Sequence, residues 1–144
     1  SASTLHAWDA IVEITGPDGV RRIPIHDFYI KAGVVDLKPA EIQTAIIIPK
    51  EAYEGYHGHY IKYAMRNAMD IATTGCSVNV KLSEDKGKPL TKAVVHEFAQ
   101  AVLEDINPRD SWRASKAFRQ HIATVLAERA LTESIRLAGG VIDE

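Results

Sequence analysis

The sequence predicts an α+β fold. Its first half is a succession of short β-branched runs broken by Gly and Pro, and its last third holds two long segments with apolar residues at helical spacing. The polar run Ser83-Glu84-Asp85-Lys86-Gly87-Lys88 marks the change from one regime to the other. Strands followed by helices, rather than alternating with them, imply an antiparallel sheet with two C-terminal amphipathic helices packed on one face.

The elements follow in order. Ala10 to Thr15 is short and β-branched, and Gly16-Pro17-Asp18-Gly19 supplies a tight turn in which Pro presets φ and Gly tolerates positive φ. Val20 to Ile25 alternates its faces and completes a hairpin. Pro24 has no N–H for a ladder, so this strand ends there or lies at an edge. His26 to Tyr29 reads as a turn or short helix, followed by a loop to Lys38-Pro39. Glu41 to Ile48 is the next strand, stopped by Pro49, and its Ile-rich end suggests burial on both faces. Glu51 to Gly58 reads as a loop. Two strands come next, His59 to Arg66 and Ile71 to Leu82; the second places Val78, Val80 and Leu82 on one face. Val94, Val95, Phe98, Val102, Leu103 and Ile106 then recur at helical spacing, with Thr91 as N-cap. Asn107-Pro108 ends that helix. A last helix starts near Asp110 or Ser111, buries Trp112 or Phe118 and then Ile122, Val125, Leu126 and Ile135, and closes at Gly139-Gly140.

Composition narrows the function. With 46% hydrophobic and 25% charged residues over 144, the chain has material for an ordinary core and no disorder signature. A net charge of −2, with no basic run longer than Arg21-Arg22, gives no field for nucleic acid. The single cysteine, Cys76, excludes an intramolecular disulfide and a Cys-rich cluster within these residues, and fits a reducing, cytoplasmic setting. Cys76 itself reads as a small core residue. Ser1 to Leu5 lacks the basic start and apolar core of a secretory leader. The longest apolar run, Ala45 to Ile48, is far short of the ~20 residues a bilayer span needs. His57-Gly58-His59 has only two imidazoles, where a zinc site needs three or four ligands, and reads as a surface loop. No ordering of residues supports hydrolase chemistry.

The run Tyr60-Ile61-Lys62-Tyr63-Ala64-Met65-Arg66-Asn67-Ala68-Met69-Asp70-Ile71-Ala72 is the most distinctive. Lys62 and Arg66 stand four residues apart, and on a strand they share a face and aim at one ligand. On residue type alone they are solvated charges, the usual fate of Lys and Arg. Asp70 either orders the adjoining loop through Arg66 or caps the next strand.

This run resembles the Lys-x-x-x-Arg-x-x-x-Asp-Ile-Ala signature of the FAD-binding (flavoprotein) subunits of the xanthine dehydrogenase, or molybdenum hydroxylase, family. Other segments are similar to that family in the same order. They are the hairpin with Asp27-Phe28-Tyr29, the strand Leu37-Lys38-Pro39-Ala40-Glu41-Ile42 to Ile48-Pro49, and Ser111-Trp112-Arg113-Ala114-Ser115 with Phe118-Arg119. The family's Gly-rich loops for the FAD pyrophosphate have no counterpart here, since no G-x-G-x-x-G run occurs. A further strand that the family usually has near Asp85 to Lys88 is also missing. Either this is a shortened protein or part of the subunit lies outside these residues; the second is expected, which makes the chain the C-terminal portion of a larger subunit. Residues 1–49 would be the tail of an FAD-binding domain and residues 50–144 an α+β domain like the CO dehydrogenase flavoprotein C-terminal domain, with a segment missing near 85–88.

The resemblance also implies an oxidoreductase role as an electron-transfer subunit that is inactive as an isolated chain. Substrate would be oxidised at molybdopterin on one partner subunit. Electrons would pass through [2Fe-2S] clusters on another, reach FAD here and leave to NAD+ or another acceptor. It assigns Lys62 and Arg66 to the flavin, a cation there stabilising the anionic reduced form. Ile42 and Gln43 align with a position whose backbone touches the cofactor, and Asp70 supports the loop beside it. The alternatives are a flavin-free structural or assembly module, or the flavin subunit of a carbon monoxide dehydrogenase or aromatic-CoA reductase.

Overall fold

The computed structural model describes residues 1–31, 33–83 and 89–144. The expected missing segment near 85–88 thus falls outside the described residues. The chain divides into two compact units, Ser1–Glu54 and Gly55–Glu144.

The first unit begins with a short helix α1 (Ala2–Ala7), which the sequence pattern does not announce. Strands β1 (Ile11–Gly16) and β2 (Gly19–Pro24) form the expected hairpin, in register from Ile11 opposite Pro24 to Gly16 opposite Gly19. Gly19 has φ +111, a conformation that strains any residue with a side chain and explains the glycine's place in the turn. Helix α2 (Ile25–Phe28) follows, then a small hairpin of β3 (Tyr29–Lys31) and β4 (Val34–Val35) where the sequence suggests only a loop. Strand β5 (Ile42–Ile47) pairs antiparallel with β1, and a short helix α3 (Lys50–Tyr53) starts directly after Pro49. The sheet order is β2-β1-β5, so Pro24 ends an edge strand, as its missing N–H requires. Only the central strand is deeply buried: Val12 and Ile14 are fully enclosed, and pack with Ala10, Ile25 and Phe28. β5 is the other edge, and its Ile-rich end is not buried on both faces: Ile46 remains 44% exposed.

The Arg21 guanidinium fastens β2 to the segment before β5. It donates to both Glu41 carboxylate oxygens at 2.9 and 2.8 Å, to Asp36 Oδ2 at 2.8 Å and to the Asp36 carbonyl at 2.8 Å. These bonds, with the Lys38 N–H second, hold the Glu41 carboxyl at about 2.

In the second unit β6 (His57–Tyr63) and β7 (Thr74–Val80) form an antiparallel pair, with α4 (Lys92–Asp105) and α5 (Lys116–Leu137) behind it. Helix α5 packs on both strands and on α4. Thr91 caps α4, accepting the Val94 N–H, as its position before the periodic run suggests. α5 starts at Lys116, later than expected. Ser111 and Ala114 bond to each other in a turn, and Ser115, not Ser111, is the cap, accepting the Phe118 N–H. Trp112 sits in that turn and is 79% exposed, its ring against the Arg113 guanidinium at 4.3 Å; Phe118 is 40% exposed. Neither aromatic forms the core. Of the expected positions Leu126 and Ile135 are buried and Ile122 and Val125 only partly so; Ala123, Ala127, Ala130 and Ser134 complete the buried stripe of α5, small residues that let the helix backbone lie close to the strands. Ser134 Oγ reaches the Val78 carbonyl at 3.1 Å and its own helix's Ala130 carbonyl at 2.8 Å. The helix ends as Gly139-Gly140 suggests: Gly139 has φ +85, its N–H bonds Arg136 O, and the Gly140 N–H bonds Ile135 O, the paired bonds of a Schellman cap.

Candidate functional site

The distinctive cationic run is not two strands meeting at a tight turn. β6 stops at Tyr63 and β7 begins at Thr74, so Ala64 to Thr73 forms an irregular connection. Its base is closed by the Thr73 N–H to Tyr63 carbonyl bond of 2.8 Å. Arg66 therefore lies in the loop, and the expectation that it shares a strand face with Lys62 fails. Beyond Tyr63 the Met65 N–H is taken by the Asp70 carboxylate in place of a ladder carbonyl, and Met69 turns the chain at φ +52.

The loop nonetheless brings Lys62, Arg66 and Asp70 together. Lys62 Nζ donates to the Asp70 carbonyl from the end of β6. Arg66 Nη2 donates to the Met69 carbonyl at 2.6 Å. Asp70 Oδ2 accepts the Met65 N–H at 2.9 Å, tying one limb of the loop to the other. Desolvation acts to raise the Asp70 carboxyl. The Met65 N–H, the Arg66 charge and the Ile71 and Arg66 N–H groups outweigh it and hold the group below its ordinary value. Asp70 thus orders the loop, mainly through the Met65 backbone, with Arg66 contributing charge.

Register sets the orientation of Lys62. It pairs with Gly75, and strand alternation puts Gly58, Tyr60 and Lys62 on one face with Gly75, Ser77 and Asn79. Val78, which is buried, and Tyr63, whose ring meets Phe118, lie on the opposite face, toward α5. A Cβ on Gly75 would lie 2.9 Å from the Tyr60 hydroxyl, so the glycine lets that ring lie across the strand. Lys62 and Arg66 are both exposed, and among the described residues neither joins a salt bridge. Each gives one donor to a backbone carbonyl and has others to offer. That is a donor set suited to an anionic or carbonyl-rich ligand.

Ile42 and Gln43 belong to the first unit. They open β5, opposite Thr15 and Ile14, with Ile42 64% exposed. His57 and His59 lie on β6 rather than in a surface loop, and no group of three metal-ligating side chains occurs among the described residues. Cys76 is partly buried on β7, which pushes its thiol up. No helix among the described residues is long and apolar enough to cross a membrane. The residues missed by sequence reasoning are Tyr60 and Gly75, whose diagonal contact depends on register, and Thr73 with Arg119. The Arg119 guanidinium donates to the Thr73 carbonyl across 46 residues of sequence, and no local pattern signals such a bond.

Two family models match the chain. The FAD binding domain in molybdopterin dehydrogenase covers residues 1–51 and the CO dehydrogenase flavoprotein C-terminal domain covers residues 86–134. The xanthine dehydrogenase FAD-binding subunit of Escherichia coli O157:H7 is 32% identical over 166 residues, spanning 97% of this chain and 57% of its own. The carbon monoxide dehydrogenase medium chain of Afipia carboxidovorans is 29% identical over 132 residues, spanning 92% of this chain and 42% of its own. The chain thus spans about half the length of these relatives. Carbon monoxide dehydrogenase from Hydrogenophaga pseudoflava superposes with a TM-score of 0.85 at 22% identity, over 94% of this chain and 55% of that one. Quinoline 2-oxidoreductase from Pseudomonas putida 86 gives 0.79 at 18%, over 95% and 56%. At such identities the structural likeness is one of fold.

Fold and matched segments define the class: an α+β chain of the molybdopterin-dehydrogenase flavoprotein type. More particularly, the chain belongs to the family of FAD-binding subunits of xanthine dehydrogenase.

Proposed function

We propose that this chain is the C-terminal part of an FAD-binding subunit that carries electrons within a molybdenum hydroxylase. Residues 1–49 would be the tail of the FAD-binding domain and residues 50–144 the C-terminal domain. The observation that carries the reading is the order of parts: an FAD-domain segment, then the cationic loop, then the flavoprotein C-terminal segment. The donor chemistry of the loop fits an electron-rich, partly anionic cofactor.

FAD, when bound, supplies the redox chemistry. The residues here hold and tune it. Lys62 presents an ammonium and Arg66 a guanidinium, and a fixed positive charge beside a redox group stabilises its more negative state and raises its potential. Asp70 accepts no proton in this role; its carboxylate braces the loop through the Met65 N–H. Ile42 and Gln43, exposed residues at the start of β5, belong to the same reading. The partners in this reading are a molybdopterin subunit and an iron–sulfur subunit, with NAD+ or another carrier as acceptor, in a cytoplasmic complex. The isolated chain would be inactive.

Lys62→Ala tests the reading in the complete subunit. The expected result is a lower flavin midpoint potential or weaker FAD retention, with circular dichroism and melting unchanged. Unaltered flavin content, potential and turnover would remove Lys62 from the flavin site.

A further inference from the structure

We infer that Phe118 and Arg119 are positioning residues for the cationic loop, gripping both of its ends from the first turn of α5. The functional consequence rests on the flavin reading, whereas the geometry stands apart from it. Tyr63 is the last residue of β6, where the chain enters the loop, and Phe118 packs on its ring with centroids 6.0 Å apart and planes inclined by 53°. Thr73 is the last loop residue before β7, and its carbonyl accepts from Arg119 Nη1. Tyr63 and Thr73 are themselves joined by a backbone hydrogen bond of 2.8 Å. Two consecutive helix residues therefore hold the two hinges of one loop.

The segment before α5 completes the device. Arg119 Nη2 donates to Ser111 Oγ at 2.7 Å, so the guanidinium spans from the turn to the loop. Ser111 is fixed by its backbone pairing with Ala114, and Ser115 caps α5 one turn ahead of Arg119. The Ser-Trp-Arg-Ala-Ser and Phe-Arg elements thus act together to set the guanidinium in place. Thr73 is 4% exposed, so the bond to its carbonyl is sheltered from competing water. Among the described residues, the side-chain hydrogen bonds of Lys62, Arg66 and Asp70 stay within residues 62–71, which fixes the internal shape of the loop and leaves its attachment to the fold to the Tyr63 and Thr73 hinges. A charged hydrogen bond of this kind outweighs a neutral one, so its loss should raise local opening by about tenfold or more.

The test uses the complete flavin-loaded subunit and two readouts, amide hydrogen exchange at residues 64–73 and flavin midpoint potential. Arg119→Met keeps the stem and removes the donors. It should speed exchange at 64–73 by about tenfold while the paired amides of β6 and β7 keep their protection. It should also move the flavin potential in the direction that Lys62→Ala moves it. Arg119→Lys, which keeps a charged donor, should recover part of both effects. Unchanged exchange at 64–73 in a folded Arg119→Met protein overturns the grip. A loosened loop with an unmoved potential, where Lys62→Ala does move it, overturns the positioning role while the Lys62 assignment stands. If Lys62→Ala is also silent, the flavin reading has failed and the loosened loop still supports the grip. Should Arg119→Met not fold, Phe118→Leu decides, because it loosens the Tyr63 hinge alone; normal exchange in that variant overturns the proposal.

Discussion

Leu126→Ala probes the packing on which the second unit depends. Leu126 is 4% exposed on the face of α5 whose other buried positions are Ala123, Ala127, Ala130, Ser134 and Ile135. Truncation removes three buried carbons, a transfer loss of about 2.4 kcal/mol at ~0.8 kcal/mol each. The flanking alanines have no side-chain length with which to fill the gap, so a cavity contribution adds to this. The total should be about 2.5 to 5 kcal/mol. Leu and Ala are both good helix formers, so little of the loss comes from propensity. Native-state hydrogen exchange reads the effect on this unit without requiring the whole subunit to unfold as one. The most protected amides of α5 and β7 should lose about two to three and a half decades of protection, at ~1.4 kcal/mol per decade. A loss below about one decade would refute the reasoning, since it would mean that α5 closes over the gap and is not held against the strands by close packing.

Two further outcomes follow from single positions. Gly139→Ala should cost about 1 kcal/mol, because Gly139 ends α5 at φ +85; a thermal melt matching wild type would show that the cap relaxes. Glu41, bonded by Arg21 and held at about 2 against an ordinary 4.5, contributes stability that is fully present above that ordinary value and is lost as pH falls through about 2. Carboxyl NMR titration should show the depressed value, Arg21→Met should return it to the ordinary range, and an unshifted Glu41 in the wild type would contradict the Arg21 geometry.

Much of this fold can be read in the sequence wherever a local rule decides. Gly16-Pro17-Asp18-Gly19 specifies a hairpin turn, Thr91 a helix cap and Gly139-Gly140 a helix stop, each through backbone chemistry confined to a few residues. The failures occur where two local solutions compete or where the decision is non-local. Ser111 and Ser115 are equally good caps by residue type, and the pairing of Ser111 with Ala114 settles the matter. The β3–β4 hairpin is too short for periodicity to register. Trp112 looks like core by composition, yet it sits in a turn ahead of the helix. In the candidate site, the residue types Lys62, Arg66 and Asp70 are visible as a motif. Their arrangement is not, because Arg66 leaves the strand and the loop is held by Asp70 on the backbone and by Arg119 from 46 residues away.

The FAD content of the natively purified complex that contains this chain, measured by fluorescence after acid release, is the most direct test of the electron-transfer role. About one FAD per copy is expected, lost or weakened in Lys62→Ala. A folded complex with intact metal centres and no flavin would contradict that role, and would leave the cationic loop a structural feature of a flavin-free module.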